Sequence, residues 1–130
     1  MAFDEILSKT MNASSAVLDT TPRRALDTLE KALGIPEEEL AQALNSNRRT
    51  LQRWRTGAAH PQQAARSRLA ALLHLQKRVR ETFTSSDASR RWFHAPSRYL
   101  GGITPAEAVR VGRLERVEAA LEALHSGAFL

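Results

Sequence analysis

Cysteine is absent from the 130 residues of this chain, which excludes disulfide bonds and thiolate metal sites. Long apolar runs are also missing, and Asp4 and Glu5 precede the first basic residue, so we expect neither a signal peptide nor a membrane span. We therefore expect a cytoplasmic protein. No stretch alternates apolar and polar residues over the length of a strand, which predicts an all-α fold.

Sequence motifs of catalysis are missing as well. The chain has four histidines, which lie far apart: His60, His74, His94 and His125. They form no His-Glu-x-x-His pair, so nothing indicates a zinc site. No serine lies in a Gly-x-Ser-x-Gly turn, and Gly101-Gly102 is too short for a phosphate-binding loop. The sequence predicts a protein that is not an enzyme and holds no metal or cofactor.

Charge is spread unevenly along the chain. Residues 21–80 hold twelve Lys or Arg against five Asp or Glu, whereas residues 81–130 hold six of each kind. A basic region followed by a neutral one favours an anionic ligand for the first and a different partner for the second.

The basic region has the apolar periodicity of consecutive helices. Thr21 and Pro22 begin the first helix, which ends at Gly34. Pro36 and the three glutamates after it begin the second, since acidic residues are favourable at a helix N-terminus. A long fourth helix is predicted from 61 to 83, with Leu73 and Leu75 as a second apolar edge that packs either in the core or against a twin subunit.

The second and third helices follow a helix-turn-helix pattern. Asn45 supplies a left-handed turn, and Asn47 caps a third helix over residues 48–55, whose Leu51 and Trp54 face inward. Its polar residues are expected to point outward into the major groove, where Arg pairs with guanine and Gln with adenine. The predicted DNA-binding residues are Asn47, Arg48, Arg49, Gln52, Arg53 and Arg55. Among them, Arg55 is expected at phosphates rather than bases.

The most informative segment, which we term the signature segment, is residues 92–107, with the sequence WFHAPSRYLGGITPAE. Pro96 and Gly101-Gly102 interrupt a helix, so residues 94–103 are predicted to form a loop. Thr104 as N-cap and Pro105 at the first position then begin a new helix. Helices are also predicted before this loop, capped by Ser85 or Ser86, and after a break at Gly112.

The signature segment resembles the toxin-binding domain of Xre/MbcA/ParS-type antitoxins. The pattern of that domain runs Trp, a few residues, Pro-Asn, two residues, Leu-Gly-Gly, one residue, Thr-Pro, one residue, Glu, and nearly every fixed position is filled here. The helix-turn-helix resembles Xre-type domains through Leu40-Ala41, Leu44, Thr50-Leu51, Arg53-Trp54 and Gly57. Ser46 departs from the small apolar residue usual in that turn.

The resemblance implies an antitoxin of a type II toxin-antitoxin system. Such a protein would occlude the active site of a RES-domain, NAD-consuming toxin, and as a homodimer within a larger complex it would bind operator DNA and repress its own operon. The implied toxin-binding residues are Trp92, Tyr99, Gly101, Gly102, Gly127, Phe129 and Leu130. Phe129 would enter an apolar subsite and the Leu130 carboxylate would meet cationic groups, while for Trp92 a place in the core stays open.

The predicted architecture is an N-terminal helix-turn-helix lobe joined by a long helix to a small helical C-terminal lobe. Residues 1–20 form an N-terminal arm, residues 21–83 the DNA-binding domain with its connecting helix, and residues 84–130 the toxin-binding domain. One alternative is a stand-alone helix-turn-helix transcriptional regulator whose C-terminal lobe only dimerises. Another is a toxin-binding protein without affinity for DNA.

Overall fold

The computed structural model describes residues 22–127 of the chain. Within that range it contains seven α-helices, one short 3₁₀ helix and no β-strand, which confirms the all-α prediction. The α-helices are α1 (Pro22–Leu33), α2 (Glu37–Ala43), α3 (Arg48–Thr56), α4 (Gln63–Thr82), α5 (Ser86–Phe93), α6 (Pro105–Arg110) and α7 (Leu114–Ser126), and the 3₁₀ helix is Arg98–Leu100. The predictions for residues 1–20, Thr21, Phe129 and Leu130 lie outside the described residues.

The first helices end and begin at the residues that the sequence indicated. Gly34, with φ at 65°, ends α1, and Asn45, with φ at 56°, makes the left-handed turn after α2. The side chain of Asn47 caps α3, since its Oδ1 accepts the N–H of Thr50 at 2.9 Å. A left-handed backbone costs most residues about 1–2 kcal/mol, which is why Gly and Asn occupy these two turns.

The long helix α4 begins at Gln63, two residues later than predicted. Pro61 lies ahead of the helix and is buried. Its twenty residues give it a length of roughly 30 Å. Leu75 is fully buried within the chain, and Leu73 is partly buried against the core. Of the two alternatives for this apolar edge, core packing therefore applies to Leu75.

The C-terminal helices also begin at local capping residues. Ser85 caps α5, since its Oγ accepts the N–H of Ala88 at 3.1 Å. Thr104 caps α6 in the same way, accepting the N–H of Glu107 at 3.0 Å, and Pro105 occupies the first helical position as predicted. Both caps satisfy backbone donors that have no partner inside a helix.

One apolar core unites the two halves of the described chain. Leu26 of α1 and Leu51 of α3 belong to the same buried cluster as Phe93 of α5 and Val117 of α7. The helix α4 packs on α1, α5 and α7, and α2 packs on α6. Because burying one such side chain contributes about 1.5–3 kcal/mol, the two halves stabilise each other. The long helix connects them as predicted, but it does so from within the shared core.

Candidate functional site

Helix α3 presents three arginines to solvent. Leu51 is fully buried and Trp54 is 5% exposed, so these two side chains anchor the inner side of the helix. Arg48, Arg49 and Arg53 are exposed. Gln52 is exposed as well. We call Arg48, Arg49, Gln52 and Arg53 the exposed α3 face; this arrangement is the one that major-groove contact by a second helix requires.

Glu37, the first residue of α2, contacts three side chains of α3. The Nε2 of Gln52 donates to the two carboxylate oxygens at 3.2 and 3.4 Å. The Nε of Arg48 lies 3.5 Å from Oε2, and the Nε of Arg55 lies 3.7 Å from Oε1. The sequence indicated Glu37 only as a favourable charge at a helix start. A signal for this contact is nevertheless present in the sequence. The first helix of the helix-turn-helix begins with an acidic residue, and the second helix is rich in arginine.

Arg55 differs from the other arginines of α3, because its side chain is only 18% exposed. Its guanidinium pairs with Asp27, with Glu30 at 2.9 Å and with Glu37 at 3.7 Å, a group that we call the Arg55 cluster. Burial lowers the pKa of Arg55, but the hydrogen bonds with Asp27 and Glu30 and the charges of these two carboxylates together outweigh burial, so this pKa lies above its ordinary value. The predicted outward orientation of Arg55 is therefore wrong, since three carboxylates hold it between helices.

Asn47 lies at the start of α3, beside the exposed face. Its Oδ1 is occupied by the N–H of Thr50, so the amide nitrogen of Asn47 is the group left for a ligand. Of the six predicted DNA-binding residues, the structure therefore places four on the exposed α3 face, one at its helical cap, and one in the Arg55 cluster.

Backbone hydrogen bonds close the loop of the signature segment. The N–H of Ser97 donates to the carbonyl of Ile103 at 3.0 Å, and the N–H of Gly102 donates to the carbonyl of Ser97 at 2.8 Å. Gly101 and Gly102 have φ values of 72° and 92°, which residues with a β-carbon rarely adopt. Apart from the glycine itself and its two neighbours in the chain, no described residue has a heavy atom within 4 Å of a β-carbon built at either glycine. The backbone conformation is therefore what requires glycine, and the outer side of this turn is open to a partner.

An open pocket of about 210 Å³ lies beside this loop. Trp92 is half-buried, with its ring centroid 5.7 Å from that of Phe83, and Tyr99 is 39% exposed beneath the guanidinium of Arg98. The residues that line this aromatic pocket are Trp92, Ala95, Pro96, Ser97, Arg98, Tyr99, Ala120 and Leu124. The structure thus brings the predicted Trp92 and Tyr99 together, and Trp92 both contacts the core and lines the pocket.

Helix α7 ends next to the aromatic pocket. Leu124 lines the pocket, and its carbonyl accepts the N–H of Gly127 at 3.3 Å. Gly127 has φ at 69° and ends the helix. The predicted tail residues Phe129 and Leu130 lie outside the described residues, and the predicted Gly127 follows Leu124 of the pocket by three positions without lining the pocket itself.

The two halves of the protein also meet where α5 contacts the end of α1. The Nε2 of His94 lies 2.8 Å from the carbonyl oxygen of Leu33, and Arg90 donates to the carbonyl of Lys31 at 3.3 Å. A β-carbon at Gly34 would lie 3.2 Å from the Cδ of Arg90. The last carbonyls of a helix have no partner inside it, so His94 and Arg90 cap α1 from the other half of the chain. Nothing in the sequence pattern indicates this contact.

Between residues 22 and 127, no three His, Asp or Glu side chains are grouped so that they could hold a metal ion. None of the helices described there combines the length and the apolar character that crossing a bilayer requires.

Two family models match the chain, one for each half. The model of the antitoxin Xre-like helix-turn-helix domain matches residues 13–73. The model of the antitoxin Xre/MbcA/ParS C-terminal toxin-binding domain matches residues 78–127. The exposed α3 face lies in the first match, and the signature segment with the aromatic pocket lies in the second.

Individual relatives agree with these matches. The mycobacterial cidal antitoxin MbcA, from both Mycobacterium tuberculosis and Mycobacterium bovis, is 31% identical over 98 residues, which is 75% of this chain and 86% of MbcA. A chain of the crystal structure of the M. tuberculosis MbcT-MbcA toxin-antitoxin complex has a TM-score of 0.65 and 27% identity, and the match covers 85% of this chain and 98% of that one. The chain therefore belongs to the Xre/MbcA/ParS family of antitoxins.

Proposed function

We propose that this antitoxin neutralises a RES-domain, NAD-consuming toxin by occluding its active site, and represses its own operon by binding operator DNA. Within this proposal residues 84–130 bind the toxin and residues 21–83 bind DNA, and the protein acts in the cytoplasm as a homodimer within a larger complex. The observation that carries the proposal is the presence of two separate surfaces, a cationic helix face and an aromatic pocket at the end of the last helix.

The toxin-binding part of the proposal rests on the aromatic pocket and the open turn beside it. Aromatic side chains that are partly exposed dominate the affinity of many protein interfaces, and Tyr99 and Trp92 are such groups. Gly101 and Gly102 allow a partner backbone to approach closely. A relative, MbcA, is found in a complex with the toxin MbcT. The toxin-binding match over residues 78–127 favours this function over a stand-alone transcriptional regulator.

Occlusion of the active site is assigned to the tail that follows Gly127. Because α7 ends beside the aromatic pocket, a toxin held there would lie within reach of the last residues. Phe129 would fill an apolar subsite. Leu130 would follow Phe129 into the site that otherwise holds the dinucleotide.

The DNA-binding part of the proposal assigns the exposed α3 face to the major groove. Arg49 and Arg53 would pair with base edges, because Arg presents two parallel donors to guanine. Arg23 and Arg24, which are exposed on α1, would contact phosphates and fix the register without selecting sequence. Two copies of α3 in a homodimer would meet half-sites separated by roughly 34 Å, one turn of the duplex.

Removal of residues 127–130 tests the proposed occlusion. The trimmed chain should still co-elute with the toxin, because the aromatic pocket is intact, whereas NAD consumption by the reconstituted complex should rise to that of the free toxin. Arg116→Ala is the control, since Arg116 is exposed on α7 and does not line the pocket. Full neutralisation by the trimmed chain would contradict occlusion by the tail.

A further inference from the structure

We infer that Glu37 is a positioning residue for sequence recognition: it orients Gln52 and Arg48 of α3 for base contact, and its charge weakens sequence-independent contact with DNA phosphates. The inference rests on the proposed binding of operator DNA. It deepens that proposal by naming a residue that raises selectivity without touching a base. Its basis is the carboxylate of Glu37, which lies at the start of α2 and engages the polar side chains of α3.

The first step concerns the amide of Gln52. A Gln side chain has two N–H donors on its nitrogen and a carbonyl oxygen, and pairing with adenine uses one donor and the oxygen. The Nε2 of Gln52 donates to the Glu37 carboxylate at 3.2 and 3.4 Å, which leaves its other N–H and its Oε1 available. An exposed Gln without such a partner would lose rotamer freedom on binding. Glu37 therefore orders this side chain before DNA arrives.

The second step concerns how Glu37 itself is held. Its side chain is 22% exposed, and it lies against three side chains of α3, those of Arg48, Gln52 and Arg55. Arg55 is fixed in turn by Asp27 and Glu30 of α1. The carboxylate is thus attached to the folded framework on one side and to the exposed α3 face on the other.

The third step concerns charge. In a helix-turn-helix complex the first helix crosses the DNA backbone, and a helix N-terminus normally attracts a phosphate there. In this chain the first turn of α2 consists of Glu37, Glu38 and Glu39. Carboxylates repel phosphates over about 10 Å at ordinary ionic strength. The affinity that does not depend on sequence is therefore reduced, while Arg49 and Arg53 remain free of these carboxylates for base contact.

Glu37→Gln is the test, with Glu38→Gln as its matched control. Both variants remove one negative charge from the same helical turn, but Glu38 is exposed and no described residue pairs with its carboxylate. The full chain would be titrated by fluorescence anisotropy with two probes, a duplex enriched by in vitro selection from a random pool and a scrambled duplex of the same composition. Circular dichroism and the unfolding midpoint would verify that each variant is folded.

Both substitutions should raise the affinity for the scrambled duplex by about two- to fivefold, since each removes one repulsive charge. Only E37Q should also lower the ratio of the two affinities, by about tenfold, which is the discrimination that a bidentate base contact provides. Gln52→Ala should lower the ratio too. In the variant that carries both substitutions, the ratio should fall by less than the product of the two single effects, because the two residues act as a unit. An unchanged ratio in E37Q, or an equal fall in E38Q, would overturn the inference.

Glu37→Asp tests the position of the carboxylate without changing the charge. It also provides a test of the inference if E37Q does not fold. It keeps the carboxylate but withdraws it from Gln52 by one methylene, so the ratio should fall while the affinity for the scrambled duplex stays unchanged. An unchanged ratio in E37D would overturn the inference. If selection with the wild-type chain enriches no sequence at all, the proposed operator binding fails, and this inference fails with it.

Discussion

The exposed α3 face and the signature segment lie on one core, yet different interactions determine their geometry. On the polar side of α3, charged side chains determine the geometry, because Glu37 and the Arg55 cluster tie this side of the helix to α1 and α2. In the signature segment, the backbone determines the geometry, through the hydrogen bond from the N–H of Ser97 to the carbonyl of Ile103 and through the left-handed conformation of Gly101 and Gly102. A surface with exposed charged side chains favours contact with a charged polymer such as DNA. A turn that is held by its backbone and lies beside an aromatic pocket favours contact with a folded protein.

This difference in construction predicts a difference in response. Charge substitutions and salt should act mainly on the first surface, since ion pairs and phosphate contacts are screened. Loss of an aromatic side chain should act mainly on the second, since burial of apolar area depends little on salt. The predictions below test this separation.

Salt should produce the largest difference. Raising the salt concentration from 50 to 200 mM should weaken binding of a homodimer to the selected duplex by about a thousandfold if it neutralises about six phosphates. Binding to the toxin should change by less than about tenfold, because the aromatic pocket offers mainly apolar contacts, which salt screens little. Anisotropy for DNA and calorimetry for the toxin would provide the two slopes. Parallel slopes would show that the two surfaces do not differ in this way.

Arg55→Ala should be the most damaging charge substitution in α3. The variant leaves three carboxylates without their shared cation, and hydrogen bonds to a charged group contribute about 1.5–3 kcal/mol, so the free energy of unfolding should fall by about 2–3 kcal/mol. Arg53→Ala is the matched control, because Arg53 is exposed on the same helix, and it should change that free energy by less than about 0.5 kcal/mol. Urea denaturation measures both. Equal losses in the two variants would contradict a structural role of the Arg55 cluster.

Local chemistry explains why the helix boundaries could be predicted from the sequence. Asn47, Ser85 and Thr104 each accept a hydrogen bond from a residue three positions later, so the cap and its partner lie in one short stretch of sequence. The signature segment is recognisable for a related reason, because Pro96, Gly101-Gly102 and Thr104 lie within one short stretch of sequence. The all-α fold and the family followed from these patterns.

Contacts between distant parts of the chain explain what the sequence did not reveal. Arg55 lies on the polar side of α3, and the carboxylates of Asp27, Glu30 and Glu37, the first of them 28 positions away, turn it inward. The bond between His94 and the end of α1 spans 61 positions. Periodicity assigns a residue to one side of its own helix, but it does not say which helix packs there. The orientation of Arg55 and the contacts of Glu37 therefore do not follow from the sequence alone.

Tyr99→Ala should have the smallest effect of the three changes, and this effect should be confined to toxin binding. Tyr99 is 39% exposed and lines the aromatic pocket, so its loss should weaken toxin binding by about 1–2 kcal/mol and leave the unfolding midpoint and the DNA affinity almost unchanged. Val111→Ala is the matched control, since Val111 is 56% exposed, follows α6 and does not line that pocket. Calorimetric titration of both variants with the toxin separates a contact at the pocket from a general loss of exposed apolar area. If the two variants lose equal affinity, or if Tyr99→Ala impairs DNA binding as strongly as toxin binding, the aromatic pocket is not the toxin-binding surface and the contrast with α3 fails.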